Sequence, residues 1–137
     1  MAGRRAGRRT ALFLLYQWDV TGQPLTSLYE GEVDAFAREL AEAVAARAPE
    51  LDAAITAAAE GWTADRLGAI ERNVLRIGTY ELESGSVPPE VAINEAIELA
   101  KRYATEVLSE LAEIAREIET ELAEARRRAE EDAREES

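Results

Sequence analysis
The chain has 137 residues, no cysteine, no histidine and a formal net charge of −12. Such a length is one ordinary domain, long enough to bury about two thirds of the surface that its unfolded form exposes. The absent residue types exclude disulfides, thiol nucleophiles, zinc sites of the usual ligand type and imidazole acid-base chemistry, and no acidic pair sits in a recognisable pocket signature, so a non-enzymatic protein without metal or cofactor is expected.

Glycine and proline punctuate the first two thirds of the chain, the stretches between them repeat with helical period and no strand-like run occurs, which predicts an all-α fold. The first helix is predicted over about residues 5–20, with Ala11, Leu15 and Trp18 along one buried stripe and Leu14 beside it, ended by "TGQP". It opens on the most positive stretch of an acidic protein. Residues 1–18 carry +4, from Arg4, Arg5, Arg8 and Arg9, whereas residues 19–104 carry −9 and 105–137 carry −7. Arg8 and Arg9 precede "TALFLL" as in a twin-arginine export signal, but the apolar run is cut at Tyr16 and no small-residue cleavage site follows. No other stretch approaches the roughly 20 apolar residues of a membrane span, so a soluble protein with no membrane partner is expected. The lack of cysteine fits a cytoplasmic setting.

Arginines in the first turns of a helix face the positive end of its dipole, at a cost of a few tenths of a kcal/mol each. Four of them within six positions, with no balancing acid nearby, point to a polyanionic partner held at one place. At i, i+4 spacing Arg8, Leu12 and Tyr16 share one face, so a guanidinium can hold a phosphate while a ring offers a stacking surface to an unpaired base. Tyr16 as plain core filler is the competing reading.

A second helix is predicted over about 32–47, carrying Val33, Phe36, Leu40 and Val44, and a third from Pro49 with Leu51 and Ile55, stopped by Gly61. Thr63 is the predicted cap of the next helix, with Asp65 in its first turn and Trp62 closing over Leu67 as a hydrophobic staple. The stripe Leu67, Ile70, Val74, Ile77 follows, Gly78 suggests a close helix crossing, and "SGSVPP" breaks the chain at 84–89. Beyond Pro89 there is neither glycine nor proline.

Taken together, "RRTALFLLYQWDVTG", "WTADRLGAIERNVLRIGTYEL" and "VPPEVAINEAIELAKRY" resemble the NusB family of transcription antitermination factors over about residues 4–106, in the family's order and at its spacing. The resemblance implies a bundle of two small helical subdomains that binds single-stranded boxA-type leader RNA of ribosomal or phage transcripts. It implies a protein partner, the small-subunit ribosomal protein NusE, and a place in the RNA polymerase antitermination complex. By similarity, Arg4, Arg5, Arg8 and Arg9 supply the principal RNA contact with Tyr16 next to them, Arg72 approaches RNA, and Glu71 and Glu95 face the partner. Asn94 belongs to the family signature but reads more simply as a helix cap.

The resemblance fails at the C-terminal end. Where the family has a short acidic turn and a closing helix with "VNG", here "YATE" runs straight into "VLSELAEIAREI". The apolar stripe from Ile93 through Ile97, Ala100, Ala104, Leu108, Leu111, Ala115, Ile118 and Leu122 to Ala129 keeps its face across that junction. One atypically long C-terminal helix, about 65 Å if residues 92–134 are all helical, is compatible with this, as is a new helix capped by Thr105 that folds back. The expected division is a NusB-like RNA-binding domain at 1–106 and a charged helix at 107–137. Two functions follow: an RNA-binding antitermination factor, or a helical scaffold that forms a homodimer through its C-terminal stripe with its RNA function weakened or lost.

Overall fold
The computed structural model of the chain describes residues 3–58 and 63–135, with side chains over 3–58, 63–104 and 118–135. Every regular element among them is helical. In order these are α1 (Arg4–Thr21), the single turn α2 (Leu25–Leu28), α3 (Ala35–Ala46), α4 (Ala48–Ala58), a 3₁₀ turn at Ala64–Arg66, α5 (Ala69–Ser84), α6 (Pro89–Leu99), a π-helical turn at Ala100–Ala104 and α7 (Thr105–Glu135). They fall into two compact units, Met1–Ala104 and Thr105–Ser137. No helix among the described residues is long and apolar enough to cross a membrane.

Most boundaries follow local chemistry. α1 stops where Gly22 turns left-handed at φ 72° and its N–H donates to the Trp18 carbonyl, and Gly85 closes α5 in the same way. Asp34 caps α3, its carboxylate accepting from the Ala37 N–H at 3.2 Å. Pro89 opens α6 in the first turn, where a missing N–H costs nothing.

The start of α5 departs from expectation. Thr63 makes no side-chain cap, and the segment after it forms only the 3₁₀ turn before Leu67 and Gly68 extend and the helix begins at Ala69. The cause lies four residues into the helix. Arg72 Nη1 donates to the carbonyls of Ala64 at 3.2 Å and Leu67 at 3.0 Å, satisfying acceptors that a continuous helix would have used itself. Trp62 and Gly61 lie outside the described residues.

The core of the first unit is built around α1. Ala11, Leu12, Leu14 and Leu15 are buried against Leu25 of α2, Leu40, Ala41 and Val44 of α3, Leu51 of α4, Val74 and Ile77 of α5 and Leu99 of α6. Each fully buried leucine or isoleucine contributes about 1.5–3 kcal/mol. Two glycines set how closely helices approach. A β-carbon at Gly78 would sit 3.2 Å from that of Ala96, so α5 and α6 cross closely, as the sequence suggested. A β-carbon at Gly7 would lie 2.6 Å from the Phe36 ring, which rests on the bare backbone of α1. Gly7→Ala should therefore lose stability by about 1–2 kcal/mol, overpacking outweighing the better helix propensity of alanine, as read from urea midpoints.

In the second unit every described side chain from Ile118 to Glu135 is exposed, including Ile118 at 51% and Leu122 at 54%. They belong to the apolar stripe read from the sequence.

Candidate nucleic-acid interface
Two of the arginines that lack acids beside them in sequence, Arg5 and Arg8, receive them through the fold. Arg8 points inward: its Nε and Nη2 donate to the two oxygens of Glu81 on α5 at 2.8 and 2.9 Å, and the two side chains are only 4% and 3% exposed. This fork-to-fork geometry is the strong form of a charge-assisted pair. The hydrogen bond to Glu81 raises the Arg8 pKa despite the opposing effect of burial. Arg4 and Arg8 both lie with their guanidinium carbons 5.6 Å from the centre of the Phe36 ring, a double cation–π contact made possible by Gly7.

Arg5 and Arg9 face the other way. Arg5 reaches Glu95 on α6, donating from Nη2 at 3.1 Å and from Nε at 3.3 Å, yet its side chain stays 76% exposed. Its hydrogen bond to Glu95 holds its pKa above the usual value. Arg5 and Arg9 line a cleft of about 510 Å³ together with Glu95, Glu98, Lys101, Arg102 and Tyr103. The π-helical turn presents Lys101, Arg102 and Tyr103 on one short stretch of backbone. Tyr103 is stacked edge-on by Phe13 of α1, with ring centres 5.1 Å apart, and capped by the Arg102 guanidinium 5.7 Å from its centre. Four cations and two aromatic rings thus converge on one face of the first unit. Tyr16, at 39% exposure, lies one turn beyond Phe13.

The helix face inferred from spacing is divided by burial. Arg8 and Leu12 of that face belong to the interior, and only Tyr16 reaches solvent. The face turned to the cleft is Arg5, Arg9 and Phe13, the same i, i+4 step begun three residues earlier. Sequence reading passed over Phe13, Arg102 and Tyr103; the signal for the last two was the "KRY" at the end of the third motif, and for Phe13 its i, i+4 step from Arg9.

Arg72 is half-buried and already occupied. Besides the two carbonyls, its Nε donates to Asp19 at 2.8 Å. Asp19 Oδ2 also accepts from Asn73 at 3.0 Å and Arg76 at 3.2 Å, and Arg76 forks onto Asp52 of α4 at 2.7 and 2.6 Å. Arg76 further lies 5.7 Å from the centre of the Trp18 ring. The "QWD" and "ERNVLR" segments therefore meet as one polar lock joining α1, α4 and α5. Burial pushes the Asp19 carboxyl up, but hydrogen bonds from Arg72 and Asn73 and the charges of Arg72 and Arg76 outweigh it and hold it below the usual carboxylate range. Glu71 folds back over Gly68 at the start of α5, into the space that a β-carbon there would fill. Asn94 is exposed on α6 and does not cap it; that position belongs to Pro88.

A family model described as the NusB family matches residues 5–126. A transcription antitermination protein NusB from Rubrobacter xylanophilus is 43% identical over 110 residues, spanning 75% of this chain and 79% of the relative. The NusB structure from T. maritima aligns with a TM-score of 0.65 at 32% identity, over 74% of this chain and 79% of that one. A crystal structure of the antitermination factors NusB and NusE in complex with dsRNA aligns with a TM-score of 0.61 at 30% identity, over 73% of this chain and 82% of that chain. The all-helical fold, the three motifs and these likenesses agree that the chain belongs to the NusB family.

Proposed function
We propose that the chain is a cytoplasmic, non-catalytic transcription antitermination factor that grips single-stranded boxA-type leader RNA and acts with NusE in the RNA polymerase antitermination complex. The observation that carries this reading is the cleft: Arg5, Arg9, Lys101 and Arg102 around it, with Phe13 and Tyr103 alongside. Cations spaced along a groove follow the phosphates of a flexible strand, and ring faces accept unpaired bases. Tyr16 extends the surface along α1, whereas Arg4 lies on the Phe36 side of that helix. Arg8 and Arg72 serve it from behind, fixing α1 and the start of α5 through Glu81 and Asp19. Glu71 is the acidic group offered to the protein partner, whereas Glu95 is held in the cleft by Arg5. The likeness to a structure of NusB and NusE in complex with dsRNA supports RNA and NusE as the partners.

Salt dependence tests the reading. With about four phosphates neutralised, the slope of log affinity against log salt should be roughly −3, a loss of about 50-fold between 50 and 200 mM. Arg5→Ala with Arg9→Ala should flatten the slope to about −1.5 with helix content unchanged. A parent slope near zero overturns the proposal.

The exposed Ile118 and Leu122 on α7 favour a second reading, a homodimer through that stripe. Light scattering on the full chain should then give twice the monomer mass, and Ile118→Glu with Leu122→Glu should return it to monomer. A monomer at every concentration in the parent removes this reading.

A further inference from the structure
Among the described residues, Glu95 is the one acid in the cleft in a salt bridge with a cation there. Its side chain is 15% exposed and its carboxylate takes Arg5 in a forked contact, where an incoming phosphate would have to bind. Behind it, Arg8 has spent Nε and Nη2 on Glu81, leaving Nη1 aimed at Glu95 Oε2 at 3.9 Å, an ionic contact longer than a hydrogen bond. Glu95 thus sits between one exposed arginine that is free to swing and one buried arginine that is not.

We propose that Glu95 is a displaceable internal counter-ion that sets the affinity of the cleft for RNA: a backbone phosphate takes Arg5 from it, and Arg8 Nη1 keeps the released carboxylate. This assignment rests on the RNA-binding reading above. Two properties follow from the geometry. The exchange is phosphate for carboxylate at one guanidinium, so Arg5 contributes less net affinity than an unpaired arginine does. The freed carboxylate stays neutralised by Arg8 and does not repel the strand that displaced it, because a like charge left in the cleft would act against every phosphate within a Debye length. Without a phosphate, the same contact keeps Arg5 from gathering anions at random, which makes Glu95 a determinant of discrimination between a strand that fills the whole cleft and one that touches Arg5 alone.

The experiment uses the full chain and a fluorescent 12-nucleotide unstructured RNA, with thermal melting run on every variant. Glu95→Gln should bind about 2-fold to 5-fold tighter than the parent, the range expected on removing competition from one exposed ion pair. Arg5→Ala should weaken the parent by about 2-fold but the Glu95→Gln background by about 5-fold or more, since only there is Arg5 wholly available to phosphate. Glu95→Ala serves as a second variant should Glu95→Gln melt early. In the unmodified protein, the Arg5 Nε–H resonance should move on RNA addition while that of Arg8 stays. Unchanged or weaker binding by both Glu95 variants, an equal cost of Arg5→Ala in the two backgrounds, or a stationary Arg5 resonance overturns the proposal. Arg9→Ala separates the two levels: if it weakens binding while Glu95 is inert, only the counter-ion role fails, and if neither matters the RNA-binding reading falls with it.

Discussion

Glu81→Ala should destabilise the fold by about 3–5 kcal/mol, because it leaves the Arg8 guanidinium buried with no anion to answer it. Urea denaturation reads this directly, as a lower midpoint at unchanged slope. Arg8→Met combined with Glu81→Leu should recover most of the loss, since two apolar groups of similar volume leave no charge to desolvate. If Glu81→Ala costs under about 1 kcal/mol, the pair behaves like a surface contact and Arg8 is available to ligand after all. The paired design decides whether this arginine serves the scaffold or the cleft.

Arg76→Ala should cost about 3 kcal/mol, the second largest effect expected of a single substitution, because Asp19 and Asp52 both lose a forked or shared donor and Asn73 loses one as well. The same lock predicts a pH dependence. Asp19 has its carboxyl held below the usual range in the folded state, so its contribution to stability is complete above the unfolded value near 3.9 and is lost as pH falls through the lower folded value. Stability of the parent should therefore drop below about pH 4 more steeply than that of Asp19→Asn, which has no proton to take up there. Melting curves at pH 3 and pH 6 give the comparison; equal losses in the two proteins would remove Asp19 from the account.

Much of the helical plan was legible because its punctuation is local. Gly22, Gly85 and Pro89 act through their own backbone or the next turn, and each stands at an observed boundary, whereas the second helix, read from about residue 32, starts only after the Asp34 cap. The start of α5 was misjudged for the opposite reason. Thr63 has the chemistry of a cap, but Arg72, nine positions later, takes the carbonyls that would have joined that segment to the helix. The arginine cluster shows the same limit. Its excess charge was plain in the composition, and its partners were not, because Glu81 and Glu95 lie 73 and 90 positions away from Arg8 and Arg5. Helical spacing placed Arg8, Leu12 and Tyr16 on one line but could not say that the line runs from the interior to the surface. Only the packing of α3 and α5 on α1 determines that Arg5, Arg9 and Phe13 are the outward face.

Among the described residues, the salt bridges of α1 all reach forward in the chain, from Asp19 to Arg72 over 53 positions and to Arg76 over 57, from Arg8 to Glu81 over 73 and to Glu95, and from Arg5 to Glu95 over 90. The ionic partners of α1 thus sit on α5 and α6, whereas its apolar contacts also reach α2 and α3, so loosening the later helices would unpair the charges of α1 while leaving part of its greasy face covered.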